Sequence, residues 1–336
     1  MREVKKILFI PPGIQGGWYM ETHYEYLIRY LSDEFFIEVA QTPYPPYEDA
    51  WKRTEVSPFD RNPDDYDLLV PLLPSHWGVL DREKYKHKTA VVMYEPGEGD
   101  WTRAKFLAST TPVADNTDYD ERIYPVRFGI DTLLFQPYKM LREDKLLHVG
   151  VVGSYGNPRR QIMEGIKPLY DMPGVRWMFF PQSWVNNGGD FESLGGEEFK
   201  KLVVAGGKKW PGIPNIYNRL DVLVRIDNSY GLSFPVLEAG ACGVPVITTY
   251  QGIDHLITEA GGGILLLPDP PHDKKWPIGE GEQLVGKLRI ALEYMRDHPR
   301  KRKQMGMYGR IEVVKNWQWD KKKIDGWRKF LREATK

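Results

Sequence analysis

Cysteine is nearly absent, with Cys242 alone among 336 residues. An internal disulfide is therefore impossible, a cysteine-based zinc site lacks ligands, and a reducing, cytoplasmic setting is the expectation. Net charge is missing too, since 46 Lys and Arg are matched by 46 Asp and Glu. That balance, with no basic-aromatic motif, argues against nucleic-acid binding. No apolar run approaches the roughly 18 residues needed to cross a bilayer. Residues 1–6 are basic, but the apolar run at 7–10 stops at Pro11-Pro12, too short for a signal-peptide core. There is no internal repeat and no low-complexity tract. What remains is globular composition, 41% hydrophobic and 27% charged, which excludes wholesale disorder. The length suits two domains of roughly 100–200 residues each.

Overall neutrality hides an asymmetry. Residues 299–336 carry 13 Lys and Arg against 4 Asp and Glu. Such a run reads either as solvated terminal helices or as a basic face for anionic lipid or a phosphorylated ligand. Peripheral contact with the inner membrane face is the expectation on the second reading.

Short apolar runs alternate with amphipathic ones, the pattern of strand–helix–strand units in parallel sheets. Strands are expected at 7–10, 36–40, 67–73, 89–93, 106–109 and 123–126, then at 146–152, 175–180, 222–226, 244–248 and 264–267. Helices are expected through Tyr24, Leu27, Ile28 and Leu31, and over 235–241, 282–296 and 317–334. The fold class is therefore α/β, two Rossmann-like domains in series: 1–140, 141–316, and a terminal helix at 317–336 packing back on the first. Ligands of such open sheets bind beyond the carboxyl ends of the strands, so the site is expected in a cleft between the halves.

The window 218–248 carries the most chemistry. It reads as a buried strand, a polar loop, a helix opening near Ser233-Phe234-Pro235 and another buried strand. A helix opening there points backbone N–H groups and its positive dipole end at the loop, ready for an anion. Pro235 suits the first turn, where its missing N–H is not needed. Glu238 lies about one turn further in. It reads either as an acceptor for two ribose hydroxyls or as an acid complementing the helix dipole.

Leu237-Glu238-Ala239-Gly240-Ala241-Cys242-Gly243-Val244-Pro245-Val246-Ile247 resembles the Leu-Glu-Ala-Met-Ala-Cys-Gly-Val-Pro-Val-Ile signature of the retaining, family-four type of glycosyltransferase, whose fold is GT-B. Phe128-Gly129-Ile130-Asp131, continuing to Phe135-Gln136-Pro137, is similar to that family's Asn-Gly-Ile-Asp…Phe-x-Pro linker. Gly150-Val151-Val152-Gly153 resembles the strand that opens its donor domain, and 261–267 its late Gly-rich turn. The resemblance is strong over about 120–270 and weak over most of the first 120 residues.

The resemblance implies transfer of a sugar from a nucleotide-diphosphate donor to an acceptor hydroxyl, with retention at the anomeric carbon. Glu238 would hold the ribose, as the second Glu of a Glu-x7-Glu motif. Tyr230 stands where that motif has its first Glu, so the sugar's identity and catalytic competence turn on it. The backbone of Gly231, Leu232, Ser233 and Phe234 would cradle the diphosphate, together with the Gly16-Gly17 loop of the acceptor side. Arg159, or its neighbour Arg160, matches the family's later Lys, while Ser154 occupies the slot of its Arg. Glu95 occupies the slot of the family's His and would face the sugar, with His76 as its rival in the cleft. Cationic side chains and amides could neutralise the leaving group, so no metal or separate cofactor is implied. The acceptor would be a glycan, a lipid-linked molecule or a small molecule.

Two rivals remain: a non-catalytic GT-B module that binds a nucleotide or glycan, motivated by Tyr230 and Glu95, and a nucleotide-sugar epimerase on the same scaffold. A dehydrogenase is disfavoured, because 150–156 lacks a clean Gly-x-Gly-x-x-Gly and no acidic residue follows at the ribose position.

Overall fold

In a computed structural model the chain forms two compact units, Met1–Gly129 with Trp319–Lys336, and Ile130–Gln318. The structure describes residues 4–10, 18–40, 61–71, 82–93, 106–109, 123–138, 140, 144–153, 165–181, 196–204, 212–226, 233–249, 254–266 and 281–336.

The first unit contains β1 (Lys5–Ile10), α1 (Trp18–Leu31), β2 (Phe35–Val39), β3 (Leu68–Pro71), α2 (Arg82–Tyr85), β4 (Ala90–Met93), β5 (Phe106–Ser109) and β6 (Ile123–Pro125). Strands pair in parallel in the orders β2-β1-β3 and β4-β5-β6, and a parallel bridge from Leu69 to Thr89 links the two groups. Ile7, Leu8, Phe9 and Ile10 are fully buried. A central parallel strand is covered on both faces, and a continuous apolar run satisfies that requirement.

The terminal helix of this unit begins later than its aromatic pattern implies, at Lys321, and runs to Ala334. The reason is local: Asp320 adopts an extended conformation and its carboxylate accepts from Lys323 N at 2.8 Å, an N-cap that fixes the start. Trp317 instead ends a π-helical turn of the second unit. The helix buries Trp327, Phe330 and Leu331. Trp327 packs on Phe128 at 5.1 Å between ring centroids and donates its indole N–H to Arg127 O at 3.0 Å. Arg328 pairs with Asp33 at 2.8 Å and Arg332 pairs with Glu34, so part of the basic excess of the C-terminal run is neutralised at the end of α1.

The second unit contains β7 (Leu147–Gly153), β8 (Val175–Pro181), α3 (Gly196–Leu202), α4 (Pro214–Asn218), β9 (Val222–Arg225), α5 (Phe234–Ala241), β10 (Val246–Thr248), α6 (Asp254–Glu259), β11 (Gly263–Leu265), α7 (Gly281–Asp297) and α8 (Pro299–Glu312). The sheet order β11-β10-β9-β7-β8 is all parallel, with β7 between β8 and β9. The connection therefore reverses direction beside β7, which makes the carboxyl ends of β7 and β9 the topological switch point. Val149, Val151, Val222, Val224 and Phe179 share one core with Leu284, Leu288 and Leu292 of α7. The alternation of Val222, Val224 and Ile226 into that core leaves Leu223 and Arg225 on the opposite face of β9.

α5 ends in a Schellman motif: Val244 N donates to Ala239 O and Gly243 N to Gly240 O, both at 2.9 Å. Gly243 takes φ +72°, which a side chain would strain. β10 consequently starts at Val246, after the turn and after Pro245, which has no N–H for a ladder. α8 then lies directly on this turn. A Cβ on Gly306 would fall 1.9 Å from Gly243 O, so only glycine permits the approach.

Among the described residues, no helix is long and apolar enough to cross a membrane, and no group of three or more His, Cys, Asp or Glu is arranged to hold a metal.

Candidate functional site

The switch point brings the end of β9 and the start of α5 to one edge of the second sheet. Ser233 is the N-cap of α5, 2% exposed, yet its side chain makes no cap bond. The cause is the sequence that follows. An N-cap hydroxyl normally accepts from the second or third helical N–H. Here Pro235 has none, and Val236 N is bonded to Ser233 O at 3.2 Å. Among the described residues, the buried Ser233 Oγ has no hydrogen-bond partner. Such an atom costs about 1–3 kcal/mol unless something satisfies it. It sits where the helix dipole and terminal amides favour an anion.

Glu238, about one turn into α5, is 1% exposed. Tyr217 of α4, itself fully buried, donates its hydroxyl to Glu238 Oε2. Burial pushes the carboxyl up to about 8, although the Tyr217 hydrogen bond pulls the other way. The phenol is held well above its ordinary range by the same burial, reinforced by Glu238. Tyr217 therefore stays a donor throughout the accessible pH range. Cys242, one turn further along, is a buried thiol whose ionisation is likewise suppressed by burial.

Behind this pair, α4 is clamped. Asn218 Nδ2 donates to Gln136 O at 3.1 Å and Pro214 O at 3.0 Å, and its Oδ1 accepts from Tyr138 N at 2.9 Å. Phe135 meets Tyr217 edge-on, 6.1 Å between centroids. From α8, Arg310 donates to Phe135 O at 3.1 Å and to Ala241 O, placing a cation at the negative end of α5.

Of the residues singled out from sequence, the structure describes Ser233, Phe234 and Glu238 and brings them together on α5. Gly16, Gly17, Glu95, Arg159, Arg160, Tyr230, Gly231 and Leu232 lie outside the described residues, as do His76 and Ser154. Sequence reasoning passed over two residues of this region. Tyr217 carries no local signal, because its partner is 21 positions away. Arg225 does carry one: it is a single charge in the otherwise apolar run from Val222 to Ile226, at the carboxyl end of β9. Its charge acts on Tyr217, opposing the rise in the phenol's pKa.

The described site and sheets define a class, the GT-B fold of two α/β units with parallel sheets. Among solved structures the chain is similar to sucrose-phosphate synthase from Thermosynechococcus elongatus, at 14% identity over 98% of each chain with a TM-score of 0.69. It is also similar to Anabaena HepE in complex with UDP-glucose, at 13% identity over 98% of this chain and 99% of that one, TM-score 0.62. A glycosyltransferase from Rickettsia africae matches at 13% identity over 99% and 98%, TM-score 0.57. No family model matches the chain, and no curated protein does.

Proposed function

We propose that this protein is a glycosyltransferase that moves a sugar from a nucleotide-diphosphate donor to an acceptor hydroxyl, with retention at the anomeric carbon. The observation that carries the reading is the orphaned Ser233 Oγ at the mouth of α5. A diphosphate there would take its hydrogen bond and lie against the dipole end, with Glu238 one turn deeper to meet the ribose. The fold supports the reading, and HepE, which shares it, is described with UDP-glucose.

In this mechanism, departure of the diphosphate builds negative charge on the leaving group and oxocarbenium character on the sugar. Ser233, the amides of Gly231, Leu232 and Phe234, and Arg159 or Arg160 would neutralise the leaving group, so a metal is not required. The Gly16-Gly17 loop would close on the phosphates from the acceptor side, and Glu95 and Tyr230 would orient the transferred sugar. The acceptor is a glycan, a lipid-linked molecule or a small molecule.

The protein works in the cytoplasm and touches an anionic membrane face through α8. Arg300, Lys301, Lys303 and Lys315 have no ion-pair partner among the described residues. The first three and the π-turn Lys315 flank the outward pair Met307 and Ile311, 53% and 55% exposed.

The test is thermal denaturation with UDP, GDP and ADP. One of the three should raise the midpoint of the wild type, and Ser233→Ala and Glu238→Ala should each abolish most of that rise. An equal response from wild type and both variants would place the nucleotide elsewhere. Turnover on a panel of nucleotide sugars then separates the enzyme from a binding module: release of nucleotide only when acceptor is present supports transfer.

A further inference from the structure

A carboxylate that receives two ribose hydroxyls must present a fixed edge to them, and a Glu side chain with three rotatable bonds does not do so unaided. In the second unit the constraint comes from α4. Tyr217 is fully buried, and its hydroxyl donates to Glu238 Oε2. Its ring is held edge-on by Phe135, and the side chain of the next residue, Asn218, is tied to main-chain groups of Gln136, Tyr138 and Pro214. The phenol therefore cannot swing away, and the carboxyl is pinned at one oxygen.

We propose that Tyr217 is the positioning residue of the nucleotide site: its hydroxyl fixes one oxygen of Glu238 so that the other faces the ribose. The proposal rests on the reading of Glu238 as the ribose acceptor and adds to it a pH dependence of nucleotide affinity. Ribose hydroxyls are donors and favour the ionised carboxylate, while burial favours the neutral acid. Binding of nucleotide thus expels a proton from Glu238, and affinity rises with pH until the free site has ionised, at about 8. Among the described residues, the other charged and titratable groups facing the pair come from three elements. Cys242 lies on the same helix with its thiol suppressed by burial, Arg225 acts on Tyr217 from β9, and Arg310 of α8 is engaged with the carbonyls of Phe135 and Ala241.

Tyr217→Phe removes only the hydroxyl. The bond it deletes is the one that holds the Glu238 pKa down against burial. The variant should therefore bind nucleoside diphosphate roughly tenfold more weakly at pH 7, with the rise in affinity displaced to higher pH. A purely structural role would weaken binding without moving that profile.

The experiment is calorimetric titration with UDP, GDP and ADP from pH 6 to 9, on wild type, Tyr217→Phe, Glu238→Gln and the double variant. The proposal expects the displaced profile in Tyr217→Phe and no further loss when Tyr217→Phe is added to Glu238→Gln. The double variant strands no charge, so this comparison stands even if the single variant folds poorly. If Glu238→Gln weakens binding but Tyr217→Phe keeps the wild-type affinity and profile, or if the second substitution adds a loss of its own, the positioning role is overturned while the ribose reading stands. If Glu238→Gln binds like wild type at every pH, the ribose reading itself falls.

Discussion

Replacing Glu238 by Gln should stabilise the protein while impairing its ligand binding, and the stabilisation should depend on pH in a direction set by burial. The carboxyl is 1% exposed and its ionisation is pushed from 4.5 up to about 8. Between those values the folded state holds a proton that the unfolded state has lost. Stability from this group therefore falls as pH rises through the window and levels off above about 8. Every pH step of one across that window is worth about 1.4 kcal/mol, so between pH 5 and pH 7 the wild type loses about 2–3 kcal/mol that the variant does not. Gln keeps the shape and still offers an oxygen to the Tyr217 hydroxyl, but it cannot ionise. Urea unfolding of both proteins without nucleotide, at pH 5, 6, 7 and 8, isolates the effect, because every other group cancels in the difference. The two should agree within about 1 kcal/mol at pH 5 and diverge in favour of Gln with each step upward. A difference that is constant across the four pH values would refute the assignment of Glu238 as a buried neutral acid.

Gly306→Ala should lower stability by about 2–3 kcal/mol, since its Cβ would fall 1.9 Å from Gly243 O; denaturant midpoints measure it, and a loss under about 0.5 kcal/mol would contradict the packing of α8 on the turn after α5. Trp327→Ala should cost about 3–5 kcal/mol by emptying the aromatic cluster with Phe9 and Phe128, read as an earlier unfolding transition of the first unit. Co-sedimentation with phosphatidylglycerol vesicles should exceed that with phosphatidylcholine vesicles, weaken several-fold between about 0.05 and about 0.5 M salt as expected for surface charge, and drop in Met307→Ser/Ile311→Ser; indifference to lipid charge would remove the membrane face from α8.

The sheets were legible because their signal is local. Residues 7–10, 106–109 and 175–180 are runs that a parallel strand covered on both faces requires, and each lies in a strand of the structure. The helix after the polar loop was equally plain from Phe234-Pro235 and the Ala-Cys-Gly stop, and it runs from Phe234 to Ala241. The terminal helix was harder. Trp317 and Trp319 continue the aromatic spacing of Trp327 and Phe330, but the Asp320 cap overrides the pattern. The basic run at the C-terminus could not be divided by inspection either, because the acids that neutralise Arg328 and Arg332 lie nearly 300 positions earlier.

From the sequence alone came the two α/β halves and the opening of α5, properties of period, proline and glycine within short windows, while the choice of Glu238 came from the family resemblance of 237–247. Tertiary structure decided that Glu238 is buried rather than offered to solvent, that its partner is Tyr217, and that the Ser233 hydroxyl has no hydrogen-bond partner among the described residues. Those facts depend on which distant groups are pressed together when water is excluded, and no local pattern records that.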